Sequence, residues 1–162
     1  MKLLLLLLLP VFLLADLYKD YTDLSYNQKL MLKNIYEFGK PYDLGYSLAA
    51  IAWKESNVGK FMINLQDPSC GFFHNNINTV MSRRGITDTP FNRNVLCQKL
   101  INDVPYSASE AVAELAYWRT VHKTNYTKIW ASYNAGWSYT NGLNYSQDIK
   151  NRIKVLKVNN IK

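Results

Sequence analysis

The chain has 162 residues, a formal net charge of +7 and 48% apolar and aromatic residues. This length allows one domain with its own core, and the apolar fraction excludes a disordered chain. The positive charge favours an anionic partner such as a cell wall or a lipid surface. No basic run is longer than the pair Arg83-Arg84, so nucleic acid is not the expected partner.

The N-terminus has the pattern of a secretory leader. Lys2 precedes an apolar run over 3–15, and Asp16 follows it. Spanning a bilayer takes roughly twenty apolar residues, and this run is shorter. The pattern predicts a signal peptide over 1–15 and one exported domain over 16–162, in the periplasm or at the cell wall, with no stable membrane anchor after cleavage. An uncleaved anchor is the alternative.

Two cysteines, Cys70 and Cys97, are present in the chain. In an oxidising compartment an even number of cysteines favours a disulfide, although two separate buried thiols are the alternative. His74 and His122 do not stand at zinc-ligand spacing from these cysteines, so we expect no metal site.

Helical patterns dominate residues 16–162, and no stretch alternates long enough for a substantial sheet. The predicted class is mainly α, with an irregular loop or hairpin over 60–76, where Asp67-Pro68 and Gly71 interrupt any periodicity. Predicted helices occupy 26–38, the segment between Asp43 and Gly59, 77–84, 91–102, 107–121, 126–135 and 147–158.

A few residues set the predicted helix ends. Asp43 is expected to cap the second of these helices, and Gly59 to end it. Ser107 and Glu110 have the spacing of a capping box, which predicts that a helix begins at Ser107.

Glu55 is the leading candidate for chemistry. It follows the apolar stretch 48–53 at the end of a predicted helix. A carboxyl group held against an apolar wall is poorly solvated, which favours its protonated form. A group that keeps its proton until a leaving oxygen needs it can act as a general acid. The position alone is also typical of an ordinary surface glutamate.

The order of several short motifs resembles the soluble lytic transglycosylase domain, a lysozyme-like family. That family has a Glu-Ser pair at a helix end, a Gly-Leu-Met-Gln stretch, an Ala-Tyr-Asn-Ala-Gly motif and a tyrosine in the last helix. The resemblance covers residues 43–157 and implies a lysozyme-like helical domain. The matching residues here are Glu55-Ser56, Gly71-Phe72-Phe73-His74, Ser132-Tyr133-Asn134-Ala135-Gly136 and Tyr145.

The resemblance implies a role for each matching residue. Glu55 would be the single catalytic acid and base, and the hydroxyl group of Tyr133 would hold its carboxyl group in position. Asn134 would bind substrate or fix its loop, and Gly136 would let the backbone turn close to the cleft. Tyr145 would lie beside the scissile bond.

The chain departs from the family where His74 replaces the glutamine. His74 is expected to donate to a sugar or peptide group and to titrate near neutral pH. A bridge from Cys70 to Cys97 would fix this wall of the cleft. The predicted substrate contacts are Ser56, Gly71, Phe72, Phe73, His74, Tyr117, Tyr133, Asn134 and Tyr145.

The resemblance implies cleavage of the bond between N-acetylmuramic acid and N-acetylglucosamine with formation of a 1,6-anhydro end, without a cofactor. We expect a monomer that binds peptidoglycan glycan strands, alone or within a secretion or wall-remodelling apparatus. Two alternatives stay open. A lysozyme-like hydrolase would use Asp67 as a second carboxylate, and an inactive module would only bind peptidoglycan.

Overall fold

A computed structural model describes residues 15–162. The predicted leader over 1–15 lies outside the described residues, apart from Ala15. Within the described range, no helix is both long and apolar enough to cross a membrane.

Helices form most of the described chain, which confirms the mainly α class. Residues 15–22 form α1. The other α-helices are α2 (Tyr26–Gly39), α3 (Gly45–Ser56), α4 (Ile77–Arg84), α5 (Pro90–Asn102), α6 (Val104–His122), α7 (Tyr126–Ala135) and α8 (Leu143–Val158). Two short 3-10 helices occupy Lys40–Tyr42 and Tyr139–Gly142.

The centre of the fold is α3, which packs against α2 and α8. Its residues 48–53 are all buried. This explains why they show no amphipathic stripe, since a helix enclosed on all sides is apolar all round. The burial of this segment fixes where α3 ends and therefore where Glu55 lies.

The bounds of several helices follow the sequence predictions closely. The helix α2 begins at a capping box, in which Ser25 accepts from the backbone N–H of Gln28 and the Gln28 side chain accepts from that of Ser25. Asn125 caps α7, whose bounds are those predicted. The last helix, α8, begins at Leu143, four residues before the predicted start.

The predicted ends of α3 were wrong. Asp43 does not cap it: the N-cap is Leu44, without a side-chain bond, and Asp43 instead accepts a hydrogen bond from the hydroxyl group of Tyr126. At the other end the C-cap is Asn57, in a left-handed conformation, rather than Gly59. The predicted stop therefore lies two residues too late.

The predicted start of α6 was also wrong. The helix begins at Val104 and is capped by Asp103, which accepts from the N–H of Tyr106. Ser107 and Glu110 are buried inside the helix. The two residues have the spacing of a capping box, but both side chains bind residues elsewhere in the fold.

The irregular segment predicted over 60–76 contains a small antiparallel sheet with strand order β1-β2-β3. Its strands are β1 (Ile63–Asn64), β2 (Ser69–Cys70) and β3 (Asn75–Asn76). In this register Cys70 lies opposite both Ile63 and Asn75. Two residues per strand are too few to produce an alternating pattern that the sequence could reveal.

Candidate functional site

A polar cleft of about 260 Å³ lies where the end of α3, the small sheet, α4 and α7 meet. It brings together residues that are up to 81 positions apart in the chain, from Glu55 to Gly136. We call it the Glu55 cleft, and it is lined by Glu55, Asn64, Asp67, Ser69, His74, Asn75, Asn76, Thr79, Val80, Arg83, Glu114, Ser132, Tyr133, Asn134 and Gly136.

Glu55 occupies the wall of this cleft. Its side chain is 18% exposed, so most of the side chain is shielded from water. Its Oε2 atom lies 3.3 Å from Nδ1 of His74. Glu55 and His74, which stand in separate sequence motifs, are therefore in contact in the folded chain.

The backbone and a second hydrogen bond hold His74 in place. It adopts a left-handed conformation with φ of 44°, and its Nε2 atom lies 2.8 Å from the carbonyl oxygen of Phe61. A carbonyl oxygen only accepts, so Nε2 carries a proton. The other ring nitrogen, Nδ1, is left to share a proton with Glu55.

The surroundings of His74 act on its pKa in opposite directions. Burial is the largest single effect and lowers the pKa. The hydrogen bonds to Glu55 and Phe61 raise it, as do the negative charges of Glu55 and Asp67, and together they leave the pKa above its usual value. The imidazole therefore keeps its proton to a higher pH than a free histidine does.

Two tyrosines lie near Glu55, and Tyr133 does not hold its carboxyl group as the resemblance implied. The hydroxyl group of Tyr133 donates to the carbonyl oxygen of Phe73 at 2.9 Å rather than to Glu55. The buried hydroxyl group of Tyr145 makes no well-aligned hydrogen bond to a described residue. Burial raises the pKa of Tyr145 well above its usual value, and the adjacent carboxylate of Glu55 raises it further. Tyr145 is thus the tyrosine whose hydroxyl group lies beside Glu55.

The other motif residues support the cleft from behind. Ser56, Gly71, Phe72 and Phe73 are buried, so the prediction that they contact substrate does not fit their positions. The hydroxyl group of Ser56 lies 2.8 Å from the carbonyl oxygen of Phe72 and accepts from the N–H of Gly59. It therefore ties the end of α3 to the strand region that carries His74.

Gly71 has a packing reason for being glycine. Its φ is +84°, a conformation that side chains rarely adopt. A Cβ atom here would also collide with the carbonyl oxygen of Leu100 and the hydroxyl group of Ser107. The close approach of the sheet to α5 and α6 depends on this position.

The predicted disulfide is confirmed. Cys70 in β2 and Cys97 in α5 are bonded, with 5.4 Å between their Cα atoms. Such bonds persist in oxidising environments. The bond fixes the strand that precedes Gly71 and His74.

Sequence reasoning missed the charged residues on the far wall of the cleft. Arg83 contacts Glu114 at 2.9 Å and Glu110 at 3.1 Å, and Arg84 also binds Glu110. Glu110 is fully buried and paired with both arginines. The sequence did show the Arg83-Arg84 pair and the Ser107–Glu110 spacing. We interpreted the first only as a short basic run and the second only as a helix cap.

Two further clefts adjoin the Glu55 cleft. One of about 440 Å³ shares Glu55 with it and is also lined by Trp53, Lys60 and Arg152. The other, of about 580 Å³, is lined by Tyr117 and shares with it Thr79, Arg83, Glu114 and Gly136. Asn134 faces the Glu55 cleft and is exposed. Of the predicted contacts, His74, Tyr133 and Asn134 line the cleft with Glu55, and Tyr117 lies in its extension.

No group of three or more His, Cys, Asp and Glu side chains among residues 15–162 is placed to hold a metal ion.

The chain is 32% identical over 134 residues to an uncharacterized 20.7 kDa protein in the vs-regB intergenic region of Enterobacteria phage T4. The match covers 80% of this chain and 69% of the phage protein. This chain belongs to the family of that phage protein. No family model matches the chain, and no solved structure matches it.

Proposed function

We propose that this member of the phage family is an exported lytic transglycosylase that cleaves the glycan strands of peptidoglycan. The observation that carries the proposal is the shielded side chain of Glu55, in the wall of a polar cleft and in contact with His74. Export is supported by the leader pattern over 1–15 and by the disulfide between Cys70 and Cys97.

In the first step, protonated Glu55 gives its proton to the oxygen between N-acetylmuramic acid and N-acetylglucosamine. The C1–O bond breaks, and the N-acetyl group of the muramic acid residue stabilises the positive charge at C1. The partial burial of Glu55 favours this step, because electrostatic interactions with the reacting atoms are stronger where bulk water is excluded.

In the second step, the Glu55 carboxylate removes the proton from the C6 hydroxyl group of the same sugar. The C6 oxygen bonds to C1, which closes the 1,6-anhydro ring, and Glu55 returns to its protonated form. No water is consumed. The hydroxyl group of Tyr145, buried beside Glu55, is suited to holding the carboxyl group of Glu55 in position during both steps.

A lysozyme-like hydrolase is the second candidate, and one observation favours it. Asp67 lines the same cleft as Glu55, is exposed, and accepts a hydrogen bond from Asn76 at 2.8 Å. A carboxylate there is able to activate water on the opposite face of the sugar. The hydrolysed product is heavier than the anhydro product by one water.

The test is mass spectrometry of the fragments released from purified peptidoglycan by wild type, Glu55→Gln and Glu37→Gln. Glu37 is an exposed glutamate on α2 that pairs with Lys40 and serves as the matched control. We expect 1,6-anhydro ends from wild type and Glu37→Gln, and a loss of at least about 100-fold in Glu55→Gln. Unchanged release by Glu55→Gln would exclude the proposal, and hydrated ends would favour the hydrolase.

A further inference from the structure

The helix α8 and the residues that follow it carry most of the net positive charge of the chain. Residues 149–162 contain four lysines and one arginine but no aspartate or glutamate. They therefore contribute +5 to the formal net charge of +7. A charge excess confined to one helix and its end is typical of a surface that meets a negatively charged partner.

The lysines of α8 form one stripe along the helix. Lys150, Lys154 and Lys157 follow one another at intervals of four and three residues, which places them on one side of α8 over about 10 Å. All three side chains are exposed. None of the salt bridges within residues 15–162 involves them. We call these three residues the lysine stripe.

An aromatic cleft of about 410 Å³ opens at the Lys157 end of the stripe. The Nζ atom of Lys157 lies 5.1 Å from the centre of the Tyr46 ring. The one carboxylate among the described lining residues, Asp43, accepts a hydrogen bond from Tyr126. The aromatic side chains that line the cleft are those of Tyr36, Tyr46, Tyr126 and Trp130.

These neighbouring features favour a lipid bilayer over a soluble anionic polymer. Lysines attract the phosphate groups of acidic lipids. Tyrosine and tryptophan rings suit the boundary between lipid and water, because each ring has an apolar body and a polar tip. Val158 lies four residues after Lys154, on the same side of α8, and is 65% exposed. A soluble polymer of phosphates would bind the lysines but would make no use of the apolar groups.

We propose that the lysine stripe and the aromatic cleft dock the protein on a membrane surface that contains acidic phospholipids. The association is peripheral and reversible, because one lysine near such a surface strengthens binding only about fivefold. The leader pattern over 1–15, which predicts that the chain crosses a membrane, is consistent with this partner.

The docking surface is separate from the proposed catalytic centre. Tyr46 and Glu55 are nine residues apart on α3, which corresponds to about 13 Å along the helix. The aromatic cleft and the Glu55 cleft have no lining residue in common among the described residues. Docking through α8 therefore does not depend on the reaction at Glu55.

The test measures how the full chain partitions onto vesicles of phosphatidylcholine with and without phosphatidylglycerol. The ratio of the two partition coefficients isolates the effect of lipid charge, because the apolar leader contributes to both. The variant Lys150→Gln, Lys154→Gln, Lys157→Gln is expected to lower this ratio at least about tenfold. The arginine version of the same three positions keeps the charge and should keep the ratio.

The matched control is Lys19→Gln, Lys60→Gln, Lys99→Gln. It removes the same charge from exposed lysines outside the stripe, and its ratio should fall less than about twofold. Urea unfolding of each variant checks that it is folded. Added salt should release wild type from the acidic vesicles, because salt screens the attraction.

Three results would overturn the inference. The first is an equal ratio in wild type and the stripe variant, and the second is an equal loss in the control. The third is soluble polyphosphate that binds wild type as tightly, per phosphate, as the acidic vesicles do, which would assign the stripe to an anionic polymer. Stripe-dependent vesicle binding by a protein that releases no glycan fragments would contradict only the proposed function.

Discussion

His74 Nδ1 and Glu55 Oε2 are 3.3 Å apart, and the opposite ring nitrogen of His74 is fixed on the carbonyl oxygen of Phe61. One proton can therefore occupy either side of the His74–Glu55 contact. Burial lowers the pKa of His74, but the hydrogen bond and the negative charge of Glu55 help to raise it above its usual value, which favours the imidazolium beside Glu55.

The His74→Gln variant tests whether this shared proton serves the reaction. As pH rises through the raised pKa of His74, the positive charge beside Glu55 disappears. We expect wild-type lysis of cell-wall suspensions to decline across that range. Glutamine keeps a donor near Glu55 but does not titrate, so the decline should move to a different pH. A profile identical to wild type would show that His74 only supports the wall.

The same pair makes a prediction for stability. A folded pKa above the unfolded value, about 6.5, means that protonated His74 stabilises the fold. This contribution is complete below the unfolded pKa and is lost as pH rises through the folded pKa. Urea unfolding at pH 5.5 and pH 9 should show a larger fall for wild type than for His74→Gln. Parallel falls in the two proteins would contradict this linkage.

Two matched tyrosine variants should separate structure from chemistry. Tyr133→Phe leaves the carbonyl oxygen of Phe73 without its donor, which should cost about 1 kcal/mol in the free energy of unfolding. Tyr145→Phe removes a buried hydroxyl group that has no partner among the described residues, so stability should stay the same or rise. Its rate of anhydro-end release should fall. If instead the rate fell in Tyr133→Phe and stability fell in Tyr145→Phe, Tyr133 would have the role that the family resemblance implies.

Asp67→Asn distinguishes the two proposed reactions. Asparagine keeps an oxygen that can accept from Asn76, as Asp67 does, but it cannot act as a base. We expect the product to retain its anhydro end and the rate to change only a few-fold. If the rate falls as far as in Glu55→Gln, Asp67 is a second catalytic carboxylate and the hydrolase is correct.

The disulfide should contribute substantially to stability. It joins residues separated by 27 positions, and closing a loop of that length in the unfolded chain corresponds to about 3.5 kcal/mol. The Cys70→Ala, Cys97→Ala double variant should lose roughly this amount in chemical unfolding. Unfolding of wild type with and without reductant is the control. A loss below about 1 kcal/mol would mean that packing alone holds β2 against α5.

Much of the fold was visible in the sequence because helix periodicity is local. The bounds of α7 and the start of α2 depend on nearby caps. The start of α6 was placed too late because Ser107 and Glu110, whose spacing resembles a capping box, bind distant residues instead, while Asp103 caps the helix. The hydroxyl group of Ser107 accepts a hydrogen bond from the side-chain amide of Asn75, 32 positions away. Glu110 forms salt bridges with the two arginines of α4.

The residues of the candidate site also fall into two groups, those that sequence motifs predicted and those that they did not. Glu55, His74 and Tyr133 stand in motifs of recognisable order, and all three line the cleft. The facing wall is made by Arg83 and Glu114, which belong to no motif and meet only through the packing of α4 on α6. The cleft beyond them, lined by Tyr117 and Trp118, was equally invisible, since no sequence pattern reports which rings border a cleft.

The bond between Cys70 and Cys97 closes a covalent ring that contains β3, all of α4 and the first half of α5. A protease that cuts once inside this ring, at any position from 71 to 96, produces two chains that remain one molecule until a reductant is added. In an environment rich in proteases, a single cut there cannot by itself release the wall that carries His74 from the helix that carries Glu55.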